Sequence, residues 1–233
     1  MKLCAVIRAR NAEKYIGKCL KSLQKQSEDW NGVIILDAPT DNTEKIVRSF
    51  DLPLKIIVNK KRMGLGYNLY HGINQCRGDV AFVLDGDDFL KRGALKTIRR
   101  AYEKYNCLIT YGSYIKMSKG RMTKVSKRRI VEPARKTKWA ASHLKTFRLD
   151  LWKHFPKSHM KHKGRWAQAA SDRALMYGLV ELAGVDRCCH IEKPIYYWND
   201  STPHKTNRDL QKKWDKIMRK KKKLKKIATF VVK

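Results

Sequence analysis

Long apolar runs are missing from the 233-residue sequence, and none approaches the roughly 20 residues that a membrane span requires. The first apolar stretch, Leu3-Cys4-Ala5-Val6-Ile7, is soon interrupted by Arg8 and Arg10. Neither a signal peptide nor a transmembrane segment is therefore expected, and the expected location is cytoplasmic. Paired cysteine motifs are missing as well. The six cysteines, Cys4, Cys19, Cys76, Cys107, Cys188 and Cys189, lie in apolar segments without a CxxC unit or a regular spacing. That pattern predicts reduced core thiols and argues against a disulfide or zinc framework.

The third shortage, of acidic residues, is local. Residues 1–90 carry 14 Lys+Arg against 11 Asp+Glu, and residues 91–233 carry 39 against 10, so nearly all of the formal charge of +32 lies in the second part. A long basic surface attracts polyanions: nucleic acid, anionic membrane or acidic glycan. With 42% hydrophobic and 9% aromatic residues, the composition is otherwise that of a globular protein long enough for one large domain with a substantial core.

Against this background one stretch stands out. Val80-Ala81-Phe82-Val83-Leu84 runs directly into Asp85-Gly86-Asp87-Asp88. A short apolar run of this kind reads as a strand buried on both faces, with the carboxylates placed where it leaves the core. Grouped carboxylates raise one another's pKa. A divalent cation removes the conflict, and oxygen-only ligands suit Mg²⁺ or Mn²⁺, which commonly bridge protein carboxylates to phosphates. Taken alone, the motif fits a solvated acidic turn equally well.

Taken in order, the first 110 residues alternate between strand and helix signals. Leu3–Ile7, Val33–Leu36, Leu54–Val58, Val80–Leu84 and Leu108–Tyr111 read as strands. Asn11 stands at an N-cap position before Ile16, Cys19, Leu20 and Leu23, and Asp41 and Glu44 have capping-box spacing. Leu65, Leu69, Ile73 and Cys76 share one helical face, as do Leu95, Ile98 and Tyr102. This alternation predicts an α/β fold with a mainly parallel sheet. Ligands of such sheets bind beyond the carboxyl ends of the strands, where Asp37 and Asp85 fall. Between Gly112 and Trp139 the periodicity breaks down and the basic run Lys116…Arg129 reads as a ribbon or loop. A helix follows Asn207, with Trp214, Ile217, Met218 and Leu224 able to dock.

Several of these pieces together carry a resemblance. They are Asn11-Ala12-Glu13-Lys14-Tyr15-Ile16, Ile34-Ile35-Leu36-Asp37 with Thr40-Asp41-Asn42-Thr43, Asn59…Gly64, Arg77-Gly78-Asp79 and Asp85-Gly86-Asp87-Asp88. In this order and spacing they resemble the nucleotide-sugar half of a family 2 glycosyltransferase with the GT-A fold. Ser142–Arg148 resembles a segment of a virus- and phage-associated branch. The resemblance implies a Rossmann-like, mainly parallel sheet flanked by helices. It divides the chain into a donor half at 1–110, an acceptor and catalytic half at 111–206 and a basic helical tail at 207–233. It also implies a nucleotide-sugar donor, commonly a UDP-sugar, with Mn²⁺ or Mg²⁺ bridging protein and pyrophosphate.

Carried over by position, Asp37 reads the uracil edge. Asp85 and Asp87 touch the ribose and the metal, with Asp88 sharing the ligation and His204 as a late metal ligand. Asp172, at the start of the helix signalled by Ala174, Leu175, Leu179 and Leu182, corresponds to the catalytic base; Asp150, Glu181 and Asp186 are weaker candidates. Arg8, Arg10, Asn11 and Arg62 are expected around the donor, and His143 against donor phosphate or acceptor. Two departures from the family pattern bear on donor identity. Arg8-Ala9-Arg10 replaces the common Pro-Thr-Tyr, and Leu36 replaces the first of a usual aspartate pair.

Three acceptor readings remain open. The first is a polyanion, with a hydroxymethylated base in DNA as the leading expectation. The second is a glycan, lipid or protein acceptor with the basic tail resting on anionic membrane. The third is a non-enzymatic nucleic-acid binder on a degenerate scaffold. The carboxylates at Asp37, Asp85, Asp87, Asp88 and Asp172 speak against the third.

Overall fold

A computed structural model of the protein describes residues 1–119, 129–201, 207–228 and 230. Each apolar run of the first half forms a strand, and each amphipathic segment forms the helix that returns the chain. The order is β1 (Leu3–Ala9), α1 (Glu13–Gln24), β2 (Trp30–Asp37), α2 (Thr43–Arg48), β3 (Leu54–Asn59), α3 (Leu65–Gln75), β4 (Val80–Asp85), β5 (Phe89–Leu90) and α4 (Ala94–Tyr105). The second half adds β6 (Ile109–Lys116), β7 (Ser142–Arg148), α5 (Leu149–Trp152), a small β8 (Lys161–His162) and β9 (Arg165–Trp166) hairpin, α6 (Ser171–Ala183), β10 (Cys188–Trp198) and α7 (Arg208–Arg219).

Eight strands form one sheet in the order β3-β2-β1-β4-β7-β6-β10-β5. β3, β2, β1 and β4 are mutually parallel, while β7 runs antiparallel between β4 and β6. The period-2 alternation of strand side chains builds a core on each face. Leu3, Ala5 and Ile7 of β1 and Val80, Phe82 and Leu84 of β4 pack with Ile16, Leu20 and Leu23 of α1 and Leu95 and Ile98 of α4. Val6, Ala81 and Val83 point the other way, towards Leu69 and Ile73 of α3 and Leu175 and Leu179 of α6. α7 docks through buried Trp214 and Met218, and Asn207 caps it by accepting from the Asp209 and Leu210 amides.

Three local expectations need correction. Cys107 and Cys189 are joined by a disulfide, whereas Cys4, Cys19, Cys76 and Cys188 are free. The two residues are 82 positions apart, a separation that leaves no spacing signal. They become neighbours because β10 pairs with β6, placing Cys189 beside Thr110. Asn11 is not the cap of α1: it adopts a positive φ and its side chain bridges instead to the Thr40 amide and hydroxyl. Nor does Glu44 close a capping box, because it pairs with Arg48 one turn along. Asp41 instead joins the two helix starts, accepting from the Thr43 and Glu13 amides, with Glu13 accepting from Asn42 and the Thr43 hydroxyl from the Ala12 amide beside it.

Candidate active site

The parallel register lines up the carboxyl ends of four strands. Asn59 lies beside Asp37, Leu36 beside Ala9, and Arg8 beside Asp85. At one side of this edge Asp37 accepts three hydrogen bonds, from Asn59 Nδ2 at 3.0 Å, the Met63 amide at 2.7 Å and the Gly64 amide at 3.0 Å. Burial raises the Asp37 pKa, but these donors outweigh it and hold the carboxylate below its usual range. Gly64 takes a φ of 86° to turn its amide inwards, a conformation that suits glycine. Arg62, just before these amides, remains exposed, as does Arg10 beyond the end of β1.

In the centre, Gly86 lets the acidic turn fold back against β1. Its amide donates to the Arg8 carbonyl, and a Cβ there would stand 2.7 Å from Ala9 Cβ and 3.0 Å from that carbonyl oxygen. The Arg8 guanidinium pairs with Asp85 and reaches Ser171 Oγ at 3.0 Å. Asp87 is half-buried on the same turn. Asp88 is buried, and its oxygens accept from the Tyr196 hydroxyl and the Asn199 amide. Burial, with the charges of Asp85 and Asp87 adding to it, pushes the Asp88 carboxyl up to about 8.

α6 brings Asp172 to the other side. Ala170, in the left-handed region at φ 50°, turns the chain into the helix. Such a conformation costs alanine roughly 1–2 kcal/mol, and strain of this kind concentrates at functional sites. Lys145 on β7 is only 4% exposed and lies 3.4 Å from Asp172, which keeps 30% of its own side chain accessible. Burial raises the Asp172 pKa, and the charges of Lys145, Arg173 and Arg8 more than offset it, so the carboxylate is ionised. His143 stacks on Tyr196 with ring centroids 4.6 Å apart, and its Nδ1 lies 3.3 Å from Lys145 Nζ. Burial and the Lys145 charge push this imidazole down to about 3, so it faces the site neutral.

The structure thus brings Arg8, Asp85, Asp87, Asp88, His143 and Asp172 into one charged cluster, with Asp37 and Asn11 farther along the same edge. The weaker base candidates lie elsewhere: Asp150 pairs with Lys153, Glu181 is buried against Arg135, and Asp186 binds Lys226. His204 and most of the basic run from Lys116 to Arg129 fall outside the described residues. Sequence reasoning missed the part played by Lys145, Ser171 and the Tyr196 hydroxyl. Lys145 had a signal, a lysine inside an otherwise strand-like segment, but it was lost among the many basic residues of that half.

These donors decide how a cation would fit. Among the described residues no three His, Cys, Asp or Glu side chains form a ready-made cage. The like charges that raise Asp88 nevertheless mark a place a cation would relieve, and Mg²⁺ typically takes one or two carboxylates and completes its shell with substrate phosphates. Asp87 fits that pattern.

An α/β sheet that gathers carboxylates and guanidinium at the carboxyl ends of its strands defines a protein built to handle a charged small molecule there. The chain belongs to glycosyl transferase family 2, whose family model matches residues 4–172. It is similar to the 4,4'-diaponeurosporenoate glycosyltransferase of Staphylococcus aureus (strain USA300), 30% identical over 105 residues, or 43% of this chain and 28% of that protein. Its fold is the GT-A fold of S. aureus TarS residues 1–349 in complex with UDP-GlcNAc, with a TM-score of 0.70 at 20% identity over 88% of this chain and 60% of that one. The mannosyltransferase PcManGT from Pyrobaculum calidifontis, in complex with GDP-Man and Mn²⁺, follows with a TM-score of 0.60 at 15% identity, covering 87% and 58%. The chain spans less than two thirds of the length of each of these proteins.

Proposed function

We propose that the protein transfers a sugar from a UDP-sugar to a hydroxyl of a polyanionic acceptor, with inversion at the anomeric carbon. The observation that carries this reading is the juxtaposition of an ionised, partly accessible Asp172 with the Arg8–Asp85–Asp87 edge of the sheet. Residues 1–110 form the donor half and 111–206 the acceptor half. Asp37 and the loop amides it holds face the base, with Asn11, Arg10 and Arg62 around the nucleotide. Asp87, with Asp88 beside it and His204 as a late ligand, would hold Mn²⁺ or Mg²⁺. Such an ion, when bound, supplies Lewis-acid stabilisation of the departing diphosphate.

The chain's own residues account for the rest. Arg8, buried and fixed by Asp85 and Ser171, places a permanent positive charge beside the pyrophosphate. Asp172 takes the acceptor proton as the new glycosidic bond forms. Lys145 keeps that carboxylate ionised and oriented, and neutral His143 lines the pocket with a stacking face rather than a charge.

UDP-GlcNAc in the TarS complex and the glycosyltransferase name of the curated relative support the donor class. The basic excess after residue 90 supports a polyanionic acceptor, and DNA carrying a hydroxymethylated base is the member of that class to test first. The experiment is incubation with a panel of radiolabelled UDP-sugars, Mn²⁺ and hydroxymethylated or unmodified DNA, beside phosphate-bearing glycans. Label on modified DNA alone is expected. Donor hydrolysis with no label on DNA would move the acceptor to glycans, and no UDP-sugar turnover at all would sink the donor reading.

A further inference from the structure

A second charged cavity lies outside the strand-end site. Between α6, α7 and the segment around Arg135 is a cleft of about 400 Å³, lined by seven basic side chains together with Gln211 and Asp215. Three of its guanidiniums are built into the fold. Asp215 holds Arg173 at 2.9 Å and Arg219 at 2.9 Å, while Glu181 holds Arg135. Aromatic faces support the same three groups: Arg135 and Arg219 lie over Tyr177 and Arg173 over Trp139. Around this bracket Lys136, Lys216 and Lys220 are exposed.

Arg135 is spent on Glu181 and the Met218 carbonyl, but Arg173 and Arg219, fixed by Asp215 and only partly buried, line the cleft. Fixed guanidiniums among exposed ammonium groups suit a phosphate group better than any neutral ligand. Buried Glu181 and half-buried Asp215 anchor three arginines, so the cleft keeps a positive excess. Its position is informative too. Arg173 directly follows Asp172 on α6 and is one of the charges that lower the Asp172 pKa, so the cleft begins within electrostatic reach of the candidate base.

We infer that the α6–α7 cleft is an anion subsite that holds a phosphate group of the acceptor while the acceptor's hydroxyl lies at Asp172. This rests on the glycosyltransferase reading for the role of Asp172, but the subsite itself is tested independently of it. The role of α7 is then more than docking: Arg219, Lys216 and Lys220 make it one wall of the acceptor site.

The test is an NMR titration of the full chain with inorganic phosphate, following arginine Nε–Hε resonances, with and without saturating UDP. Saturable shifts centred on Arg173 and Arg219 that persist with UDP bound are expected. The Lys136→Gln/Lys216→Gln/Lys220→Gln variant, altered only at exposed positions, should weaken phosphate binding about tenfold and leave UDP affinity unchanged. Glycerol 3-phosphate and dimethyl phosphate then separate a monoester-bearing acceptor from a phosphodiester polymer. Competition by either upholds the subsite, and competition by neither overturns it. Shifts that never saturate, that spread evenly over the basic surface or that UDP abolishes also overturn it. Phosphate binding in a protein that binds no UDP would instead sink the donor reading and leave the subsite standing.

Discussion

Asp172 and Lys145 illustrate how one pair of charges sets the chemistry of a site. The proposed base must be ionised, and burial alone would push Asp172 the wrong way; the cation 3.4 Å from it reverses the outcome. Asp172→Asn is expected to leave UDP-sugar affinity nearly intact and to lower the transfer rate about 10²–10⁴-fold, the usual span for a general base. Titration calorimetry with the donor and a transfer assay separate the two effects. Lys145→Met should act on pH dependence. Removing the foremost charge that lowers the Asp172 pKa lets that pKa rise, so the acidic limb of the rate profile moves to higher pH while the alkaline limb stays. A profile merely scaled down at all pH values would show that Lys145 serves packing alone.

At the scale of elements, close approach and buried pairing decide where the functional groups stand. Gly86 fits because β1 and the turn after β4 nearly touch, so Gly86→Ala should displace Asp85 and Asp87 and weaken donor binding more than it lowers stability, as donor titration and thermal melting would show. The Arg135–Glu181 pair joins the segment before β7 to α6 and, through the Met218 carbonyl, to α7. With side chains only 7% and 5% exposed, neither charge can turn to water. Glu181→Ala is expected to cost about 3–5 kcal/mol in urea unfolding, with part recovered in the Glu181→Ala/Arg135→Met double variant.

Across the whole molecule, the separation of charge and one covalent link dominate. If the basic half engages a polyanion, the acceptor KM should rise about tenfold or more between 50 and 200 mM salt, following counterion release, while the donor KM changes far less. Steady-state kinetics at several salt concentrations would read both. The disulfide ties β10 to the start of β6 across 82 residues. Cys189→Ala is therefore expected to lower stability by about 2–4 kcal/mol, and equilibrium unfolding with and without reductant would measure it.

The sheet was legible because local patterning determines it: five apolar runs at βαβ spacing yield the parallel strands, and the carboxylates after them can only fall at the strand ends. The places of Asp37 and Asp85 at strand ends and of Asp172 at a helix start were legible for the same reason, whereas their roles belong to the proposed function. What local pattern could not convey is which distant segments meet. The insertion of β7 between β4 and β6 sets Lys145 and His143 beside Asp172, and the pairing of β10 with β6 brings Cys189 to Cys107. The docking of α7 on α6 collects arginines from three separate segments into one cleft. Those juxtapositions depend on packing between elements far apart in the chain, so tertiary structure alone decided them.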